Sequence, residues 1–145
     1  MLKKFREYLL ISKLERKILN QSFFWLISSL ILVRLIPLKW FNSILGEFKK
    51  ERNTELNTIE IEKVLQVQKN IRRLKRAVPW RVKCFEEAIT AKKILEKNGI
   101  ESTLYLGVDK NLSNKMIAHA WLKRGSYFIA GEKGAEKFKV VGFYS

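Results

Sequence analysis

The chain contains a single cysteine, Cys84, and a single histidine, His119. A thiol and an imidazole can together perform acyl transfer: the imidazole takes the thiol proton, the thiolate attacks a carbonyl, and the same nitrogen later protonates the leaving amine. Cys84 falls a few residues after Pro79, at the first turn of an expected helix, and the run from Lys69 to Lys83 holds seven basic residues and no acidic one. A helix N-terminus and positive neighbours both favour thiolate over thiol. The competing reading of a lone cysteine is a small buried hydrophobe. His119 lies in IAHAW (117–121), an alternating strand pattern that puts Ile117, His119 and Trp121 on one face. A lone strand histidine is commonly a hydrogen-bonded core residue, so neither residue carries the chemistry alone. The pair does. With one cysteine and one histidine, a self-contained zinc site of the usual four-ligand kind and an internal disulfide are both excluded.

The elements that must position the pair follow from periodicity. Leu9, Leu10, Leu14 and Ile18 recur at helical spacing in a basic N-terminal segment, and KKERNTELN (49–57) has no apolar period and reads as a linker. From Thr58 a second helical pattern sets Ile61, Val64, Leu65, Ile71, Leu74 and Val78 on one face. Thr58 is the expected cap, and Pro79 ends the helix by disfavouring the α conformation at Val78. CFEEAITAKKILEKNG (84–99) is amphipathic, with Phe85, Ala88, Ile89 and Leu95 inward, Glu86 and Glu87 on the positive end of the dipole, and Gly99 as the stop. Strands are expected at 102–108, 116–124, 127–131 and 138–144. A helix followed by an antiparallel meander is an α+β fold. The chain divides into a basic helical segment with its linker, 1–57, and a domain over 58–145.

Charge and hydropathy bound the partners. Lys and Arg number 29 against 14 Asp and Glu, a formal net charge of +15, which predicts attraction to polyanions, a membrane surface or an acidic substrate. The basic run KNIRRLKR (69–76) has no stacking aromatics or base-reading motif interleaved, so nucleic acid is not the expected partner and an acidic peptide or protein is. SFFWLISSLILV (22–33) is uncharged but short of the roughly 20 apolar residues that span a bilayer. A buried helix ending near Pro37 is expected. The other reading is peripheral membrane contact through 22–41, with Trp25 and Trp40 at the headgroup boundary. The N-terminus lacks the pattern of a secretory signal, and a cytoplasmic location is expected. No phosphate-cradling glycine loop is present, and no cofactor is expected.

VPWRVKCFEEAITAKKILEKNGIESTLYLGV, followed by AHAWL and AGEKGAEKFKVVGFY, resembles the transglutaminase-like cysteine peptidases of lasso-peptide biosynthesis, the B proteins of those clusters. The resemblance is close over about residues 60–145. It implies a papain/transglutaminase-like core, a Cys-bearing helix packed on an antiparallel sheet that carries the His, preceded by N-terminal helices. It also implies that Cys84 is the nucleophile and His119 the general base, and that the substrate is a ribosomally made precursor whose leader is removed. The implied partners are that leader peptide, a leader-recognition protein and an ATP-dependent macrolactam synthetase. In many relatives an acidic residue about twelve positions after the histidine orients the imidazole. Here Gly131 stands at that place and Glu132 is the nearest carboxylate. Glu132, a backbone carbonyl, Ser126 and an ordered water are the candidates for the third member. Trp80 and Trp121 are candidates for the walls of a substrate groove. A non-catalytic scaffold of the same fold, binding precursor and maturation partners, is the alternative from another class.

Overall fold

The computed structural model describes residues 2–145. Helix α1 (Leu2–Leu10) leads into the long α2 (Lys13–Leu35), a short α3 (Leu38–Phe41) and a 3-10 turn (Asn42–Leu45). After an irregular stretch come α4 (Thr58–Ala77), α5 (Cys84–Lys97), strands β1 (Thr103–Lys110), β2 (Met116–Arg124) and β3 (Tyr127–Ala130), a 3-10 turn (Ala135–Lys137) and β4 (Lys139–Tyr144). The four strands form one antiparallel sheet in the order β3-β2-β1-β4. The last strand therefore does not extend the meander beyond β3. It crosses to the far edge and pairs with β1, which joins strands distant in sequence and could not be read from local pattern. The α+β class and the helix-on-sheet core are as expected.

Local chemistry sets the helix ends. Ser12 caps α2 through Oγ, which accepts from the Glu15 N–H at 3.1 Å. The cap of α4 is Asn57, one residue before the expected Thr58: its Oδ1 accepts from Glu60 N–H at 2.9 Å, and Glu60 Oε2 accepts from Asn57 N–H at 3.0 Å. Asn57 and Glu60 are three apart, so the full capping box was written one residue upstream of the position expected. Val78 then turns to an extended conformation ahead of Pro79.

The main core lies between α5 and the sheet. Ala88, Ile89, Ala91, Ile94 and Leu95 pack with Leu104, Ala120, Leu122, Ile129 and Ala130, and α4 adds Val64, Val67 and Ile71. Leu65, expected on the inner face of α4, is exposed; Val67 takes the buried position instead. The N-terminal helices share this core. Helix α2 packs lengthwise on α5 and α4, burying Ile18, Leu19, Ser22, Leu26 and Ser29, so it covers one side of the 58–145 part. Leu9 and Leu10 are exposed, and the side chain of Leu14 lies outside the described residues.

The stretch 50–57 has no regular element but is tied down as a strap across the end of the sheet. Arg52 N–H donates to Thr103 Oγ1 at 2.8 Å, the Arg52 carbonyl accepts from Gly125 N–H at 3.0 Å, and the Glu55 carboxylate accepts from Ser126 N–H at 2.8 Å and Ser126 Oγ at 3.0 Å. Just upstream, Glu47 and Ser145 exchange backbone bonds and Phe48 bridges to Tyr144, closing the outer edge of β4.

Candidate active site

Cys84 is the first residue of α5. Lys83 precedes it in an extended conformation, and the first N–H to reach back along the helix is that of Glu87, which donates to the Lys83 carbonyl at 3.0 Å. The Cys84 N–H is thus ahead of the helical ladder, the kind of amide that can face a developing oxyanion. The thiol is half-buried and free, packed on the rim of the main core.

A buried salt bridge fixes this helix start. Glu86 is completely buried; its Oε1 accepts from Arg34 Nε at 2.9 Å and its Oε2 from the Lys83 N–H at 3.1 Å. Arg34 also donates to the Arg81 carbonyl at 3.1 Å. One guanidinium near the end of α2 therefore holds both the first turn of α5 and the loop entering it. Thr90 continues the seam, its Oγ1 3.1 Å from Ser29 Oγ of α2. In the sequence Arg34 is simply the charge that follows the uncharged run 22–33, and its partner lies 52 residues away.

His119 sits in β2 opposite Gly107 of β1. Strand alternation sends Ala120 and Leu122 into the core under α5 and turns His119 and Trp121 to the other face. There the Trp121 ring stacks on Tyr105 at 5.7 Å between centroids, and the imidazole lies 5.8 Å from Trp121 and 5.0 Å from Phe138. Gly107 is required beneath them, because a Cβ there would stand 2.7 Å from Phe138 and 2.8 Å from the Trp121 ring.

The sheet edge supplies the imidazole's partner. β3 pairs with β2 only from Leu122 to Arg124, with a register shift between Leu122 and Lys123. Beyond Ala130 the chain turns at Gly131, with φ of +71°, and its carbonyl comes to 2.7 Å from His119 Nε2. A carbonyl only accepts, so Nε2 is the nitrogen that donates in this bond, and Nδ1 is the nitrogen it leaves unengaged. The backbone at position 131 thus orients the ring and, in the neutral imidazole, selects the Nε2–H tautomer. Glu132, a candidate for this role, is exposed and makes no hydrogen bond to the ring among the described residues, and the Ser126 hydroxyl is engaged with Glu55 instead.

Gly131 also borders the first turn of α5. It lines a small cleft of about 180 Å³ with Ala130, Glu132, Gln68 and Arg72 of α4, and Glu87 from the first turn of α5. Glu87 of the first α5 turn and Gly131, which accepts from His119, thus border this cleft, while Cys84 and His119 themselves do not line it. The sulfur and the imidazole are not joined by a hydrogen bond among the described residues. The two tryptophans are not brought together. Trp121 is buried beside a second cleft of about 470 Å³ whose walls include Tyr105, Lys123, Phe128 and Glu132. Trp80 packs with Val78 and Val82 against Leu19, Leu26 and Leu74 in a separate cluster. Tyr105 donates from its hydroxyl to Glu51 Oε1 at 2.7 Å, and burial with that carboxylate pushes its phenol well above the usual tyrosine range. No group of three or more His, Cys, Asp and Glu able to hold a metal ion occurs among the described residues.

Comparison with curated proteins found no match, and comparison with solved structures found none. A family model described as the Transglutaminase-like superfamily matches residues 32–142, which takes in the end of α2 with Arg34, the Cys84 helix, the His119 strand and the Gly131 turn. A helix that begins at a cysteine, packed on an antiparallel sheet that carries a histidine, is a cysteine-peptidase-like fold, and the chain belongs to the transglutaminase-like superfamily.

Proposed function

We propose that this chain is a cysteine peptidase that removes the leader from a ribosomally made precursor peptide during lasso-peptide maturation, with Cys84 as nucleophile and His119 as general base. The observation that carries the reading is the 2.7 Å bond from His119 Nε2 to the Gly131 carbonyl. It fixes the imidazole with Nδ1 free, at the place in the chain where related peptidases carry the orienting acid. In the reaction Nδ1 takes the Cys84 proton and the thiolate adds to the scissile carbonyl. The oxyanion faces first-turn amides of α5, and the leaving amine departs with the proton from Nδ1. Water activated by the same nitrogen then hydrolyses the thioester. Catalytic hydrogen bonds in ligand-free enzymes are often long and tighten when substrate is seated. The reading requires the Cys84 sulfur and the His119 imidazole, which share no hydrogen bond in the free protein, to come together when substrate is seated.

Partners follow from the same reading: the leader peptide, a leader-recognition protein that presents it, and an ATP-dependent macrolactam synthetase that closes the freed core, all in the cytoplasm. Lys69, Arg72, Arg73 and Arg76 of α4, with Glu7 as the one carboxylate in the lining, rim a groove of about 560 Å³ with Tyr8, Leu19 and Leu74 at its apolar wall. Cations around an apolar floor suit an acidic, amphipathic stretch of the leader or of its recognition protein.

The test mixes purified protein with precursor peptide and recognition protein and weighs the products. Cleavage at one site by the wild type, with no product from folded Cys84→Ala or His119→Ala, is the expected result; full activity in either variant refutes the assignment. The neutral carbonyl behind His119 favours one second reading, a scaffold of the same fold that binds precursor and partners without cutting. Alkylation by iodoacetamide separates them: the peptidase labels rapidly at Cys84 near neutral pH and slows in His119→Ala, whereas a scaffold thiol labels slowly in both.

A further inference from the structure

Helix α2 has two apolar faces, and the protein covers only one. Ile18, Leu19, Ser22, Leu26 and Ser29 are buried toward α4 and α5, and Phe24, Ile31 and Leu35, about half a turn away, point outward, with Phe23 exposed on the flank. The exposure is large: Phe24 is 61 % exposed, Leu35 75 %, and Trp40 of α3, just past Pro37, 73 %. An exposed apolar stripe of this length calls for a cover. The polar residues exposed on α2 and α3 are Lys13, Lys17, Asn20, Arg34 and Lys39, with no carboxylate among them. A stripe of Phe, Ile and Leu with a tryptophan at one end and lysines at both is the composition of a helix lying in a lipid interface. A second copy would bring the same lysines and the same +15 charge to face their own kind, while anionic headgroups complement both.

We propose that the outer face of α2 and α3 docks this protein on an anionic membrane surface, with Phe23, Phe24, Ile31, Leu35 and Trp40 entering the headgroup layer and the lysines meeting lipid phosphates. The helix lies in the plane of the surface and does not cross it. Glu15–Leu35 is long and apolar enough to span a bilayer, but its inner face is committed. Insertion would break the Ser29–Thr90 bond at 3.1 Å and strip Arg34 from the fully buried Glu86. Because α2 packs on α5, docking leaves the Cys84 helix about one helix diameter, ~10 Å, behind the lipid-facing layer. The docking is independent of the thiol chemistry and stands or falls without it.

The experiment is co-sedimentation of the full chain with phosphatidylcholine vesicles and with vesicles containing phosphatidylglycerol. Wild type is expected to partition at least about tenfold more strongly onto the anionic vesicles, and Phe24→Ser/Ile31→Ser to lose at least about tenfold of that while keeping its circular dichroism and thermal midpoint. Should the double variant misfold, quenching of wild-type tryptophan fluorescence by lipids brominated on the acyl chain, reduced in Trp40→Phe, supplies the same evidence. Equal partitioning of wild type and folded double variant, or quenching indifferent to Trp40→Phe, overturns the proposal. So does a wild-type dimer that ignores vesicles and that the double variant converts to monomer, which would assign the face to a second copy.

Discussion

At the scale of single residues, the setting of His119 rests on a glycine that contributes no side chain. Gly131 offers its carbonyl to His119 from a left-handed turn, and a Cβ there would meet the Ala120 carbonyl oxygen at 2.4 Å and Trp121 Cα at 2.9 Å. Neither obstacle is a flexible side-chain tip, so the chain must move, and the carbonyl moves with it. Gly131→Ala is expected to lose about 1–3 kcal/mol of stability, the usual range for strained positive-φ positions. It should also lower turnover about 10–100-fold, as loss of an orienting contact does. Restoring an acid as Gly131→Asp meets the same clash and should not rescue the rate. Thermal unfolding and a leader-cleavage assay on Gly131→Ala check this; full turnover in a destabilised protein would show that the carbonyl does not orient the ring. Lys92 makes a different demand. Its ammonium is buried, donating to the Ser102 carbonyl at 3.0 Å and pairing with Glu96 at 2.9 Å. Burial, partly offset by Glu96, holds it below the ordinary lysine value of 10.5. Glu96 keeps a second cation in Lys93, at 2.9 Å. Lys92→Met should therefore fall within about 1 kcal/mol of wild type at neutral pH, whereas Lys92→Ala, which leaves a cavity, should lose about 2–4 kcal/mol. A depressed lysine pKa means the unfolded chain binds more protons between the folded value and 10.5. The penalty is full below the folded value and fades as pH rises through that window, so wild type should gain stability relative to Lys92→Met between neutral pH and about pH 10. Paired urea titrations at the two pH values measure the difference, and no gain would mean the ammonium is not penalised by burial.

At the scale of elements, the position of α5 depends on the bridge between Arg34 and Glu86, whose carboxylate has no exposed surface. Removing the cation leaves that charge buried with one backbone N–H, so Arg34→Ala is expected to cost about 2–4 kcal/mol, the half-exposed guanidinium placing it toward the lower part of the range for buried pairs. Glu86→Gln, which keeps shape and removes the charge, should cost less. Chemical denaturation of the two variants gives the comparison; a loss below about 0.5 kcal/mol for Arg34→Ala would show that α5 is held by apolar packing alone. This pairing illustrates what the sequence could and could not tell. The strand at 116–124, the helix starting at Cys84 and the stop at Pro79 were legible because each is encoded by neighbours: alternation, helical period, a ring that restricts the preceding residue. Arg34 with Glu86, and β4 beside β1, join parts of the chain that no local pattern links. Gly131 stood in plain sight twelve residues after His119, yet its carbonyl finds the ring only through the β2–β3 register and its shift at Leu122. The Asn57–Glu60 box is a local pattern of the same legible kind, and it lies one residue ahead of Thr58, the cap expected from sequence.

At the scale of the whole molecule, charge is the dominant fact. With 29 basic and 14 acidic side chains, most cations have no carboxylate to pair with, and those that do are mainly at the surface, where a pair contributes little. Two effects of added salt then compete. Screening weakens surface pairs such as Lys50–Glu47 and Arg52–Glu101, and it also weakens the mutual repulsion of a +15 chain held in a compact shape. The pairs are few and individually worth about 0–1 kcal/mol, while the repulsion acts among all the unpaired cations and is relieved when the chain expands. The buried Arg34–Glu86 bridge is shielded from bulk ions and changes little. Repulsion therefore wins, and the thermal midpoint should rise by a few degrees as sodium chloride increases from about 20 to 300 mM, where the Debye length falls from about 20 Å to about 6 Å. Sulfate adds surface exclusion to screening, so chloride is the cleaner choice. A midpoint that falls with chloride would mean that the surface pairs, and with them the strap at 50–57, contribute more to the folded state than the excess charge removes.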